Sequence, residues 1–330
     1  MGYLSGAEGS PLLDNIETSN QIDKRESKWQ ELIQKSSKEN KEIAKALCKL
    51  RYNSKEEKEK WLKKAHHLEN CNVSKSLYIV EDRFIELGNK CKYRVCILCS
   101  KVKQMHYYTQ FFEFLKTKKI ARKINHDGLR LLTLTIKNQK NLLSGIDKLY
   151  KSFHKFIRRK YLIEIITKKG VKKKRIRGGL GSFHIKKDEK GLYNHHIHFI
   201  IDSSYLDMKS HKKTGKDSKL VQEWKTCTGD RGILDVRKIK DHRGALNYVL
   251  QYITGGLKDL TPKEKAIFFK ATSGRRLLFT FGSFYGVPKP KKKSKYQYVS
   301  PHSQEYNLYL ISKNPKKKPL TLEDYEKGVY

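Results

Sequence analysis

Three groups of residues in this chain have the types and spacing to do chemistry. In "YNHHIHFII", residues 193–201, His196 and His198 sit two apart in an apolar run. A strand would turn both imidazoles to one face, with His195 and Ile197 on the other. Two imidazoles side by side can hold one metal ion, or can simply be polar residues on a wet sheet face. Upstream, "GSFHIK" offers His184, which antiparallel hairpin pairing can bring beside the pair. A divalent metal that polarises a phosphodiester needs two or three protein ligands and an open position. In "LNYVLQY", Tyr248 and Tyr252 are four apart, which puts both phenols on one helix face, while Leu246, Val249, Leu250 and Ile253 make the packing stripe. A phenol can attack phosphorus where a nearby metal activates the phosphate, and helical tyrosines also serve as packing residues.

The third group is sulfur. Of six cysteines, Cys91, Cys96 and Cys99 follow C-x4-C-x2-C, and Cys71 lies twenty residues before Cys91. Clustered cysteines in a reducing compartment point to metal before disulfide. Four thiolates would close a tetrahedral zinc site with no position left for substrate, hence a structural one. Buried free thiols are the alternative.

These residues need elements to position them. "LRLLTLTIKN", 129–138, alternates Leu132, Leu134 and Ile136 against Leu131, Thr133 and Thr135 and reads as a strand. A helix follows from about Asn141, with apolar residues every three or four positions through Ile157. "LGSFHIKKDEKGLYNHHIHFII" reads as a hairpin turning at "KKDEKG". A short helix around Trp224, a strand at "ILDVRKI", a helix at "ALNYVLQYIT" ending at Gly255-Gly256, and a late strand in "RRLLFTFGSFYG" complete the set. Upstream, 24–71 reads as a solvated helix pair. "KVKQMHYYTQFFEFLKTKKIARKI" reads as one helix whose aromatic stripe is core. The expected organisation is a disordered 1–25, a basic helical 26–70, a zinc element and helix over 71–126, a catalytic domain over 127–286 and a mobile basic tail over 287–330.

Charge sets the partner class. Seventy-two Lys and Arg stand against 34 Asp and Glu, a formal net of +38. That excess fits a polyanion, since each neutralised phosphate releases counterions. Lys151, Lys155, Arg158, Arg159 and Lys160 lie along one helix face and run into "KKGVKKKRIRGG", a candidate path for a nucleic-acid backbone. No apolar run reaches transmembrane length and the first twenty residues are polar, so the expectation is a cytoplasmic nucleic-acid protein without a membrane partner.

The order of these signals resembles the rolling-circle replication initiators (Rep proteins) of small plasmids, in the His-hydrophobic-His (HUH) endonuclease superfamily, and within them the group with an upstream cysteine cluster. The resemblance runs from Cys71 to Gly286 through "CKYRVCILC", "LLTLTIKN", "LYKSFHKFIRRK", "NHHIHFII", "YVLQYITGGLKD" and "GRRLLFTFGSFYG". It implies an α+β fold, a central antiparallel sheet of ferredoxin or RNA-recognition type with helices packed against it. It also implies a metal-dependent nickase and strand transferase. His196 and His198 would hold Mg²⁺ or Mn²⁺, and His184 stands where relatives commonly carry Glu; an imidazole there shifts preference towards Mn²⁺. Tyr252 falls at the nucleophile position, giving a 5′-phosphotyrosine link and a free 3′-hydroxyl. Tyr248 replaces a Glu common in relatives and is assigned as a second nucleophile, as in initiators and transposases that alternate two tyrosines, with a packing or proton-transfer role as the alternative. The implied partners are origin DNA, single-stranded at the nick, with a host helicase and polymerase. A two-tyrosine HUH transposase and a non-catalytic zinc-containing DNA-binding protein are the competing readings.

Overall fold

The computed structural model describes residues 19–80, 83–116, 129–163, 165–166, 172–173, 175–203, 206, 217–230, 232–255, 257–289 and 297–299. In chain order its main elements are α1 (Ser19–Cys48), α2 (Lys55–Glu69), β1 (Lys75–Val80), β2 (Arg83–Gly88), α3 (Ile97–Lys116), β3 (Leu129–Thr135) and α4 (Leu142–Phe156). Then follow β4 (Ile176–Lys187), β5 (Tyr193–Ser203), α5 (Lys219–Thr228), β6 (Ile233–Lys238), α6 (His242–Gly255), α7 (Pro262–Ala271), β7 (Leu278–Gly282) and β8 (Gln297–Val299).

Five strands form one antiparallel sheet in the order β6-β3-β5-β4-β7. The run β3-α4-β4-β5-α5-β6 is a split βαβ unit used twice, the ferredoxin-like arrangement, with β7 added at one edge. The expected α+β class with a central antiparallel sheet is therefore the observed one. β5 lies in the middle strand position, where the sheet is best protected from solvent.

Strand alternation gives the sheet two different faces. On one, Ile197, Phe199 and Ile201 of β5 meet α4, where Phe153 stacks on Phe199 at 5.0 Å. Phe156 continues that layer edge-on to Trp224 of α5 at 5.2 Å, and the Trp224 indole donates to the Thr135 carbonyl. On the other, Leu129, Leu180 and Ile200 pack with Leu246, Val249 and Leu250 of α6, and with Phe111 and Leu115 of α3. Local signals set the helix ends: Asn141 caps α4 by accepting from Leu143 and Ser144, and Thr261 with Glu264 forms a capping box on α7.

The N-terminal helices are more than a solvated pair. Ile43, Leu47, Trp61, Ala65 and Leu68 are buried in a core continuous with that of the sheet. Trp61 meets Phe269 of α7 edge-on at 5.2 Å, and Lys270 pairs with Glu57 at 2.9 Å. Further expectations are adjusted. Helix α1 begins at Ser19, inside the stretch read as disordered, while residues 1–18 lie outside the described ones. The segment between Cys71 and Cys91, expected only to carry zinc ligands at its ends, folds as a hairpin of β1 with β2. Residues 297–299 of the expected mobile tail form β8, because Gln-Tyr-Val has strand propensity and β1 offers a free edge; Leu77 pairs with Val299. The rest of the tail past 299 is outside the described residues. The aromatic stripe of α3 is only partly core: Phe111 is buried, whereas Tyr107, Tyr108 and Phe112 are half-buried. Residues 117–124, read as the end of that helix, are not among those described. No helix among the described residues is long and apolar enough to cross a membrane.

Candidate active site

The hairpin β4–β5 places His184 directly opposite His196 and Ser182 opposite His198. Residues 182, 184, 196 and 198 therefore share one sheet face, the face covered by α6. One nitrogen from each of His184, His196 and His198 lies within 4.8 Å of the other two. Three nitrogens about 2.1 Å from one cation would sit roughly 3–4 Å apart. The trio thus fits a shared divalent ion after small ring rotations.

The outer bonds of the rings decide which nitrogens face inward. His196 Nδ1 lies 3.3 Å from the Asn194 carbonyl, which can only accept, so this nitrogen carries the proton and Nε2 is left with its lone pair. His198 Nδ1 is 3.0 Å from Thr133 Oγ1 on β3, a contact that likewise leaves Nε2 for the cluster. His184 Nδ1 is hydrogen-bonded to His196 Nε2. Burial, aided by the neighbouring histidines, lowers all three: His184 to about 2, His198 to about 3 and His196 to about 4. The cluster is therefore neutral at ordinary pH, the state a metal requires.

Helix α6 brings a phenol to this cluster. Tyr248 Oη is 3.4 Å from His198 Nε2, and the two rings meet at 4.7 Å. The helix is anchored at that point by Ser182 Oγ, which donates to the Val249 carbonyl. Sequence reasoning did not single out Ser182 or Thr133; their pairing opposite or beside His198 is a matter of register. The backbone of Tyr252 lies one turn further along α6. Its side chain is outside the described residues.

His195 is separate from the cluster, as its strand parity requires. It faces α4, fully buried, with Nε2 3.1 Å from the Leu142 carbonyl, and burial lowers it to about 4. There is no room to spare beside it: a Cβ at Gly145 of α4 would lie 2.1 Å from its ring.

The four cysteines also come together. Cys71 lies in the turn just past α2, Cys91 follows β2, Cys96 immediately precedes α3 and Cys99 is in its first turn. The Sγ atoms of Cys71 and Cys96 are 3.7 Å apart, those of Cys71 and Cys99 3.5 Å, and those of Cys91 and Cys99 3.7 Å. A disulfide needs about 2.05 Å. Four sulfurs about 2.3 Å from a tetrahedral ion are about 3.8 Å apart, close to what is seen. Backbone N–H groups point at the sulfurs, from Cys91 to Cys71, Lys92 to Cys99 and Cys99 to Cys96. Cys96 further accepts from Asn40 at 3.3 Å. The bonds from Cys71, Cys91 and Cys99 pull the Cys96 thiol far down, while bonds from Cys71 and then Cys96 push Cys91 and Cys99 up.

The five cations proposed for DNA divide. Lys151, Lys155, Arg158 and Lys160 are exposed on or just beyond α4. Arg159 is half-buried and ion-paired with Glu223 of α5. The following basic stretch 167–171 lies outside the described residues, as does the Lys-rich 207–216.

Among known proteins, no curated protein and no solved structure matches the chain. The family model Rep_1, Replication protein, matches residues 82–296. That span covers well over half of the sequence and takes in the whole five-stranded sheet with its histidine cluster and α6, and on this ground the chain belongs to the Rep_1 family of replication proteins.

Proposed function

We propose that this protein is a plasmid rolling-circle replication initiator that nicks and rejoins one DNA strand. The observation that carries the reading is the meeting of His184, His196, His198 and the Tyr248 phenol on one sheet face, inside the span that matches replication proteins. A divalent cation held by the three imidazoles, Mn²⁺ before Mg²⁺ for an all-nitrogen set, would polarise the scissile phosphate. Tyr252 Oη attacks phosphorus and gives up its proton. The bond to the 3′ oxygen breaks, that oxygen takes up a proton, and the DNA 5′ end stays joined to the tyrosine. Tyr248, one turn earlier, serves as second nucleophile for the return transfer. The exposed Lys151, Lys155, Arg158 and Lys160 track the DNA backbone, with Arg159 bracing that face against α5. The four cysteines hold a structural Zn²⁺. A host helicase and polymerase supply unwinding and synthesis, since the sequence has no phosphate-binding loop of the ATPase type.

The test is a covalent adduct. Single-stranded origin DNA incubated with the protein and Mn²⁺ should give a DNA-protein band that survives denaturing electrophoresis. Tyr252→Phe should abolish the adduct with DNA binding retained. Tyr248→Phe should leave the first adduct and block strand transfer. An adduct of full yield in Tyr252→Phe would reassign the nucleophile, and the absence of any adduct on origin DNA would favour a binding protein.

A further inference from the structure

A second surface of the sheet domain has the makings of a nucleic-acid site, and it lies on the face away from the histidines. A cleft of about 690 Å³ runs between the exposed side of α4 and the edge strand β7. By alternation, Leu278 turns towards α6, and Phe279 and Phe281 turn towards α4. These two half-buried rings form part of the cleft wall. Its rim is basic: Lys151, His154 and Lys155 from α4, with Arg275 and Arg276 just before β7. The acid on this rim, Asp147, is already ion-paired with Arg275 at 2.6 Å. The Arg275 guanidinium also lies over the Tyr150 ring at 5.4 Å, and Tyr150 donates to the Arg276 carbonyl at 2.6 Å. The turn that carries both arginines is thus held against α4, leaving the Arg276 side chain exposed at the mouth.

Cations along a rim with aromatic rings beneath suit a strand whose phosphates and bases are both accessible, which a duplex does not offer. We infer that this cleft binds single-stranded DNA flanking the segment engaged at the histidine face. The strand passes from one face to the other round the β7 edge, where the sheet ends. The inference rests on the proposed function for the identity of the nucleic acid, and adds a second anchor, Arg276 with Phe281, that the cations of α4 alone do not imply.

The experiment is a fluorescence titration of the full chain with a labelled 30-nucleotide single strand, at several salt concentrations and without divalent metal. Arg276→Glu should weaken binding about tenfold or more and flatten the salt dependence, by about 0.7 in log-log slope for each phosphate left without its cation. Arg276→Lys should keep the slope. Phe281→Ala should weaken binding about fivefold to a hundredfold, as expected when one stacking partner is removed. Thermal melts of each variant check that the fold is intact. Unchanged affinity and slope in a folded Arg276→Glu would overturn the cleft. An equal loss on blunt duplex would overturn the assignment to a single strand. Metal is omitted and no nicking is read, so a failure of the nicking chemistry cannot be mistaken for a failure of this site; a wild-type chain that binds no DNA would sink both.

Discussion

Replacing Cys96 by Ser tests the sulfur cluster most directly. Cys96 is fully buried, begins the turn into α3, and has its sulfur 3.7 Å from that of Cys71. It also receives bonds from Asn40 and from the Cys99 N–H. Structural zinc in small four-ligand sites is worth about 10–16 kcal/mol in apparent affinity at neutral pH. One ligand in four corresponds to about 2.5–4 kcal/mol, which is about 10²- to 10³-fold in zinc affinity. Serine retains the hydrogen bonds but presents a harder, less acidic oxygen, so most of that loss should be felt. Each tenfold loss lowers the stabilisation by zinc by about 1.4 kcal/mol. The cluster joins α1, α2 and α3 through Ile43, Leu68, Val95 and Leu98, so the melting temperature should fall along with the zinc content. The assay is zinc stoichiometry by competition with a colorimetric chelator, paired with thermal unfolding. Wild-type protein should hold one zinc and lose stability on chelation. Cys48→Ser, at an exposed position outside the cluster, should change neither. Wild-type protein free of zinc and indifferent to chelator, or Cys96→Ser with unaltered zinc affinity, would rule out a zinc site at these cysteines.

Other sites give independent checks. His184→Ala should weaken Mn²⁺ binding at least tenfold by calorimetry, and His184→Glu should restore binding while moving preference towards Mg²⁺; equal Mn²⁺ affinity in all three proteins would remove His184 from the ligand set. Gly145→Ala gains up to about 1 kcal/mol of helix propensity, yet its methyl would lie 2.1 Å from a His195 ring that is fully buried and held by the Leu142 carbonyl. Overpacking of this kind costs about 1–3 kcal/mol, so the melting temperature should fall, and a rise would show that α4 yields freely. Glu264 receives Lys187, Tyr193 and the Thr261 cap; against a burial effect that alone would raise it, these bonds bring its carboxyl down to about 2. Its folded value is depressed, so its contribution is complete above about pH 4.5 and fades as pH falls towards 2. Glu264→Gln should therefore lower the urea midpoint near pH 6 and do so less near pH 3, and a constant difference between those values would contradict the assignment.

Much of this fold was legible because its signals are local. Period-two alternation at 129–135 and 193–203 put His196 and His198 on one face and His195 on the other, and the parity could not come out otherwise once the strands formed. Asn141, the Asp188–Leu192 turn and the apolar rhythm of α4 and α6 announced their ends from side chains a few residues apart. The net charge of +38 by itself favours a polyanionic partner.

Other features depend on which distant segments meet, and no local period encodes that. The register of the hairpin, one residue either way, decides whether His184 faces His196 or the opposite side of the sheet. Packing of α6 on β4, through Ser182 and Val249, sets Tyr248 beside His198. The strand at Gln297–Val299 exists because β1, more than two hundred residues earlier, presents an open edge. The gathering of Cys71 with Cys91, Cys96 and Cys99 needs α2 to end where α3 begins in space. The basic cleft arises only where α4 crosses the edge of β7. Sequence alone thus determined the chemical types and their facing, through backbone periodicity; tertiary structure decided their company, because register and packing are long-range and cooperative.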